Sequence, residues 1–367
     1  MRTLSIVVPA YNEERSLARC IERVLQIEGP ELTLEILIVD DASSDGTAAV
    51  AAELAARHRQ VRLLRHERNQ GKGGALHTGF LHATGDFVAV QDADLEYDPR
   101  DLKRLVEPLV EGRADVVLGS RFLSGGEHRV LYFWHSIANR ALTLLSNMFT
   151  DLNLSDMESC YKVFRRDVLQ RVELHEKRFG FEPEIVAAIS RLRLRIYEMG
   201  VSYAGRTYEE GKKIGLRDGW RALYCIIHYN MPYAPLGIQF AGYVVVGGIA
   251  ALANVLLFLA LAEAASLPVA AGVAFVLAAG LNYWLCVHFM FRHRARWSTR
   301  GELATYAAVV AVVGAVDVVT TLALVDAALS PGLAKVTASA VGLILNFLGR
   351  RFLVFPDRRP GPWSPSA

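Results

Sequence analysis

The chain has 367 residues, 52% of them apolar and 21% charged, with a formal net charge of +2. That balance is too apolar for a disordered chain and leaves no basic footprint for nucleic acid. Four dispersed cysteines without a CxxC pair argue against a disulfide framework or a zinc site, so a reducing compartment is the default. The apolar run 4–8 is too short for a secretory signal and ends at Pro9, so the chain is expected to begin on the cytoplasmic side and meet the membrane late.

From residue 3 to about 120 two kinds of segment alternate. Strands are expected at 4–8, 34–39, 61–64, 87–90 and 116–118, and amphipathic helices at 13–26, 47–57, 74–82 and 101–111. This alternation predicts a doubly wound, mostly parallel α/β sheet, and such sheets bind ligands at the carboxyl ends of their strands. A polar cluster follows each expected strand: Pro9-Ala10-Tyr11-Asn12-Glu13, Asp40-Asp41-Ala42-Ser43-Ser44-Asp45-Gly46-Thr47, Asn69-Gln70-Gly71-Lys72-Gly73-Gly74, Asp92-Ala93-Asp94-Leu95-Glu96, and Gly119-Ser120-Arg121. Turn and cap chemistry accounts for any one of them alone. Five along one sheet edge point to a site.

Two of these clusters carry chemistry directly. The 71–75 run is neither G-x-x-x-x-G-K-[ST], because His66 and Gly73 stand at required positions, nor G-x-G-x-x-G. It reads as a loop that brings backbone and Lys72 near a nucleotide. Asp92 and Asp94 flank one residue, so in an extended segment both point the same way. A carboxylate pair there suits Mg²⁺ or Mn²⁺ shared with phosphates; the competing reading is an N-cap pair before the 101–111 helix.

Beyond residue 120, segments 130–148 and 217–227 mix Trp and Tyr with Arg, as helices lying in a membrane interface do. Packing onto the sheet is the alternative. Four apolar runs follow at 238–262, 269–291, 303–325 and 333–355, each about the ~20 residues that cross a bilayer. Arg292, Arg294, Arg296 and Arg300 lie between the second and third, and Arg350, Arg351, Arg358 and Arg359 near or after the fourth. The positive-inside rule then puts both termini and the middle loop in the cytoplasm. Asn282 and Asn346 are 64 positions apart, as are Phe291 and Phe355, and Tyr243 and Tyr306 are 63 apart, which indicates a duplicated hairpin. Asn282, Asn346 and Asp317 at membrane depth need partners inside the bundle; interhelical glue is the plain reading of them.

The set Pro9 to Glu13, Asp40-Asp41-x-Ser43-x-Asp45-x-Thr47, Asp92-Ala93-Asp94 and Gly119-Ser120-Arg121 resembles family 2 glycosyltransferases of the GT-A fold. Within them the chain is similar to dolichol-phosphate and polyprenyl-phosphate sugar synthases, with further matches at 156–162 and 205–213. The last third resembles the GtrA-like membrane domain. The resemblance implies a GT-A domain with interface helices at 1–230 and a four-helix transmembrane domain at 231–367. It implies that Pro9, Tyr11, Glu13, Asp40 and Asp41 line the nucleoside pocket and that Asp92 and Asp94, with Glu96 third, hold donor and metal. Lys72, Arg206 and Lys212 would attend the donor phosphates, Arg121 would meet the acceptor phosphate, and Asp156 would sit in the catalytic pocket, or else cap a helix. The partners implied are a nucleotide-sugar, a polyprenyl phosphate and the membrane. GDP-mannose and UDP-glucose both stand as donors, because 206–213 departs from the Arg-Gly-Glu-Ser-Lys-like run common in synthases that use GDP-mannose.

Sugar transfer of this kind requires the leaving diphosphate to be neutralised and the acceptor to be aligned. A lipid phosphate is already anionic, so no strong base is needed, and attack from the opposite face inverts the anomeric centre. A processive polysaccharide synthase would carry Q-x-x-R-W, which is missing from this sequence. A lipid-linked-sugar flippase or binding module would not need Asp92 and Asp94 beside Arg121.

Overall fold

The computed structural model describes residues 2–123, 129–130, 132–206, 215–263, 265–291 and 299–355. Its contacts divide the chain into two compact units, Met1–Asn230 and Met231–Ala367.

The first unit is built on seven strands: β1 (Arg2–Ala10), β2 (Leu32–Asp40), β3 (Val61–Arg65), β4 (Phe87–Val90), β5 (Val116–Ser120), β6 (Lys162–Arg165) and β7 (Ile196–Gly200). They lie in the order β3-β2-β1-β4-β6-β5-β7. Pairs β1–β2, β1–β4, β2–β3 and β5–β7 are parallel. β6 runs antiparallel between β4 and β5, so the sheet is mixed at that point. The interior strand β1, between β2 and β4, has Leu4, Ile6, Val7 and Val8 at 0% exposure. A near-continuous apolar run, interrupted here only by buried Ser5, is what a strand covered on both faces shows.

Helices α1 (Leu17–Leu25), α2 (Thr47–Arg57), α3 (Lys72–His82) and α4 (Arg100–Val110) connect the first five strands. α1 buries Leu17, Cys20, Ile21 and Val24, an i, i+3, i+4, i+7 stripe. It starts later than the expected residue 13 because the Glu13 carbonyl accepts from the amides of Ser16 and Leu17, forming a turn. In α3, a Cβ on Gly79 would stand 2.1 Å from a Val7 methyl, so this helix sits on β1 closer than any side chain allows. The unit is completed by α5 (Phe133–Thr150), the single turn α6 (Arg166–Leu169), α7 (Phe181–Ser190) and α8 (Leu216–Asn230). α5 exposes Phe133, Trp134 and Leu144, and α8 exposes Trp220, the aromatic faces expected of interface helices.

The second unit consists of α9 (Leu236–Ala262), α10 (Leu267–Leu285), α11 (Thr299–Asp326) and α12 (Pro331–Gly349). α10 and α12 each continue into one π-helical turn, Cys286–Met290 and Arg350–Val354, at repeat-equivalent positions. All four are long and apolar enough to cross a membrane. Leu252, Leu259, Val276 and Val319 are exposed along them, an arrangement suited to lipid rather than water. Arg292, Arg294, Arg296, Arg358 and Arg359 lie outside the described residues.

Candidate active site at the carboxyl edge of the sheet

The loops after β1 and β2 are stitched together by their own side chains. The Asn12 amide donates to Ser43 Oγ at 3.0 Å, the Glu13 amide to Thr47 Oγ1 at 2.8 Å, and the Ser44 amide to Asn12 Oδ1 at 2.9 Å. Asp45 accepts from the Thr47 amide and hydroxyl. The Ser43, Asp45 and Thr47 positions thus act as loop braces, while Tyr11 is exposed at the rim. Asn12, Ala42 and Leu95, one in each of the loops after β1, β2 and β4, have positive φ of 54°, 58° and 64°. Backbone strain of this kind collects where a surrounding framework holds a site.

Asp40 and Asp41 are buried, and their carboxylates make contacts within the protein. Asp40 Oδ1 accepts from the Ser43 amide, and its Oδ2 lies 3.3 Å from Arg65 Nε. Asp41 Oδ1 accepts from the Gln70 amide at 2.8 Å and contacts His66 Nδ1 at 2.7 Å; Oδ2 accepts from the Gly71 amide at 2.7 Å. Asp41 thereby fixes the start of the glycine-rich loop. That loop is glycine-rich for packing: Gly71 has φ 86°, and a Cβ there would stand 2.4 Å from the Lys177 carbonyl.

Lys72 opens α3 and bridges two acids, with Nζ 3.0 Å from Asp92 Oδ1 and 3.0 Å from Glu182 Oε1. Burial alone would lower its pKa, but the Asp92 and Glu182 charges outweigh it and hold the ammonium well above the usual range. Asp94 stands in the opposite situation. Burial, then the charges of Asp92 and Glu96, push its carboxyl up to about 7. Glu96 is taken up elsewhere, accepting from the Tyr203 hydroxyl at 2.7 Å and the Arg206 amide at 2.8 Å. Arg206 clamps this loop by donating to the Asp94 carbonyl and to Glu13 Oε2. No group of three acidic, His or Cys side chains forms a metal-holding set among the described residues. In this structure the Glu96 carboxylate is engaged by Tyr203 and Arg206. Asp92 and Asp94 remain as an acidic pair after β4 in which Asp94 is buried beside the charges of Asp92 and Glu96, and one or two carboxylates together with substrate phosphates suffice for Mg²⁺.

One strand further on, Arg121 and Asp156 form a buried fork. Arg121 Nε and Nη2 donate to the two Asp156 oxygens at 2.7 Å each, and the Arg121 amide donates to Oδ2 at 3.0 Å. Asn139 Nδ2 donates to Asp156 Oδ1 at 3.1 Å, and Arg121 Nη2 to Asn139 Oδ1 at 3.2 Å. The guanidinium also stacks over the Tyr203 ring at 5.2 Å. Burial would raise the Asp156 pKa, but Arg121 outweighs it and holds the carboxyl below its usual range. Asp156 is thus the counter-ion of Arg121 rather than a helix cap. None of these bonds uses Arg121 Nη1.

β6 explains how 156–161 reaches this edge. Being antiparallel, it begins where β4 and β5 end, pairing Ala89 with Val163 and Leu118 with Lys162. The preceding segment is therefore delivered between Asp92 and Arg121. Glu158 in it is pushed up to about 8 by burial and by the Glu182 charge. Lys162 is buried beside it, its ammonium donating to the carbonyls of Met157 and Ser159. Glu182, Asn139, Tyr203 and Glu198, which accepts from the Ser155 and Asp156 amides, belong to the site but follow no motif. Lys212 lies outside the described residues.

Residues 5–173 match Glycosyl transferase family 2, and residues 242–355 match the GtrA/DPMS transmembrane domain. An undecaprenyl-phosphate mannosyltransferase of Micrococcus luteus is 34% identical over 221 residues, covering 59% of this chain and 88% of that protein. The chain belongs to glycosyl transferase family 2. A dolichyl-phosphate beta-glucosyltransferase, ALG5D, of Trichomonas vaginalis is 30% identical over 213 residues, 54% of this chain and 65% of that protein. A dolichol-phosphate mannosyltransferase of Pyrococcus furiosus is 28% identical over 216 residues, 58% of this chain and 60% of that protein. The chain thus spans less than two thirds of the latter two relatives. Among solved structures, glucosyl-3-phosphoglycerate synthase of Mycobacterium tuberculosis, crystallised with uridine diphosphate, superposes with a TM-score of 0.50 at 20% identity, covering 62% of this chain and 80% of that one. The fold of this family 2 member is accordingly of GT-A type, followed by four membrane-length helices.

Proposed function

We propose that the protein transfers a hexose from a nucleotide-sugar, GDP-mannose or UDP-glucose, to the phosphate of a membrane polyprenyl phosphate, inverting the anomeric centre. The observation that carries this reading is the sheet edge itself. An acidic pair and a guanidinium suited to phosphate follow the ends of β4 and β5, with β6 between those strands, in a chain that also has four helices of membrane-spanning length. The names of the relatives support the acceptor class and both hexoses.

In this reading Pro9, Tyr11 and Glu13 border the nucleoside, and Asp41 holds the loop that closes over it. Asp92 and Asp94 would hold Mg²⁺ or Mn²⁺, which when bound neutralises the leaving diphosphate. Lys72 fixes the orientation of Asp92, and Arg206 holds the Asp94 loop against 203–206. Arg121, kept in place by Asp156 and Asn139, offers its remaining edge to the acceptor phosphate. No general base is required, since the phosphate oxygen is already a nucleophile. The catalytic unit and both termini lie on the cytoplasmic side.

The test uses the full chain in nanodiscs with undecaprenyl phosphate and radiolabelled GDP-mannose or UDP-glucose, with Mg²⁺, Mn²⁺ or EDTA. One donor is expected to label the lipid fraction, EDTA to abolish labelling, and Asp94→Asn to abolish it with folding intact. Labelling of neither lipid nor donor-derived product, or labelling of a polymer, refutes the assignment.

A further inference from the structure

The membrane unit holds a buried cation that has no carboxylate partner among the described residues. Arg350, at the start of the last π-helical turn, is 4% exposed. Its Nε donates to Asn346 Oδ1 at 3.1 Å, and its Nη1 donates to Asn282 Oδ1 and lies 3.6 Å from Cys286 Sγ. The guanidinium carbon sits over the rings of Tyr306 at 4.6 Å and Tyr243 at 5.4 Å. These partners are all neutral. Glu302, also buried at this end of the bundle, accepts from the Tyr283 hydroxyl at 2.5 Å, and among the described residues no carboxylate forms an ion pair with Arg350.

The duplication sharpens the point. Asn282 and Asn346 occupy equivalent places in the two hairpins, as do Tyr243 and Tyr306, but the counterpart of Arg350 is Cys286. The repeated frame therefore supplies two copies of each neutral ligand around one charge. Two amide oxygens and two aromatic faces offset part of the desolvation of a guanidinium. They do not cancel its charge, and an ionised side chain kept inside a membrane unit marks a ligand or transport site by default. The place in the bundle is also informative. Arg350 directly follows α12, at the end of the unit that carries the starts of α9 and α11; Phe352, two residues on, and Trp284, two residues before its repeat counterpart Cys286, are exposed. Aromatic side chains at that level belong to the headgroup zone.

We propose that Arg350, cradled by Asn282, Asn346, Tyr243 and Tyr306, is an anion site for the phosphate headgroup of a polyprenyl phosphate, separate from the Arg121 site of the first unit. The lipid class is taken from the reading of function above, whereas the anion site stands on the membrane unit alone. Such a site holds acceptor or product lipid in the bilayer leaflet next to the chain.

The experiment is native mass spectrometry and thermal unfolding of the full chain in detergent, with undecaprenyl phosphate, undecaprenol or inorganic phosphate added. Wild type is expected to retain undecaprenyl phosphate and be stabilised by it, and to ignore undecaprenol. Arg350→Met should weaken the Arg350-dependent retention at least about thirtyfold, the effect of leaving one member of a buried charge pair unpaired. Without lipid, Arg350→Met should be at least as stable as wild type, because it removes an unpaired buried charge. Arg350→Lys, which keeps the charge and loses the fork, should retain the lipid with lower affinity. Arg121→Lys should leave the Arg350-dependent retention in place, and this separates the proposal from the reading of the first unit. Equal binding of undecaprenol, unchanged retention in Arg350→Met, or lipid-free destabilisation of Arg350→Met overturns the proposal. Saturation by inorganic phosphate alone, without lipid retention, overturns the lipid assignment.

Discussion

Replacing Asp156 by asparagine tests how the first unit holds Arg121. The aspartate accepts four hydrogen bonds, from the Arg121 amide, Nε and Nη2 and from Asn139 Nδ2. Asparagine keeps the shape but turns one acceptor oxygen into an NH₂ group facing these donors, and it removes the carboxylate charge paired, among the described residues, with a guanidinium whose side chain is 15% exposed. Breaking one side of a buried ion pair costs about 3–5 kcal/mol, a large part of the ~5–15 kcal/mol that stabilises a domain. The sign with pH follows from the depressed Asp156 pKa. The pair's contribution is complete above the unfolded carboxylate pKa and is lost only as pH falls through the lower folded value, so at pH 7 the whole loss is expected. Urea unfolding of the first unit, followed by near-UV circular dichroism on the full chain, measures it. Lipid-dependent turnover should fall with it, because Arg121 is no longer held. A variant within about 1 kcal/mol of wild type would show that the Arg121–Asp156 pair contributes no more than a surface ion pair, and the account of Arg121 positioning would fail.

Glu158, with a folded pKa of about 8 against 4.5 as its ordinary value, is protonated in the fold at pH 7. Its contribution is complete below about pH 4.5 and is lost as pH rises through about 8, with a slope of up to about 1.4 kcal/mol per pH unit; unfolding from pH 5 to 8 should show it, and Glu158→Gln should flatten it. Gly71→Ala should lose more than ~1 kcal/mol, since it meets both the left-handed φ and the Lys177 carbonyl. Gly219→Ala on α8, with open space around it, should gain up to about 1 kcal/mol, and thermal unfolding compares the two. Lys72→Met should lower turnover and weaken donor binding together, read by equilibrium dialysis of the nucleotide-sugar, because Asp92 and Glu182 then repel across an unfilled gap.

The first five strands were legible because each is an apolar run bounded by turn residues, and the site was legible as the polar clusters that follow them. β6 was not, because Lys162 and Arg165 interrupt its apolar pattern, and Lys162 is buried only by virtue of two carbonyls upstream. β7 hid for a similar reason: Glu198 points its carboxylate at the Ser155 and Asp156 amides, a contact made only in three dimensions. The roles of individual acids were the least readable. Asp41, Glu96 and Asp156 look alike in sequence, yet each is occupied by a partner tens of residues away, His66 and Gln70, Tyr203 and Arg206, and Arg121 respectively. The four membrane helices were readable from length and hydropathy alone, and the Asn282–Asn346 repeat from spacing. Nothing in the sequence signalled that both asparagines meet one arginine.

The insertion of β6 has a consequence for biosynthesis. β5 pairs only with β6 and β7, and β4 pairs only with β1 and β6. In a nascent chain that has emerged as far as Asp156, β1 to β4 already have their partners for a β3-β2-β1-β4 sheet, whereas both partners of β5 are still missing. At about 5–20 residues per second, Asp92 and Arg121 wait several seconds for the short segment Lys162–Arg165 that brings their strands into one sheet. β7 then finishes the sheet shortly before the ribosome reaches α9. An unpaired edge exposed for that interval is open to wrong strand pairing, so the yield of folded protein should depend on how fast residues 122–165 are translated.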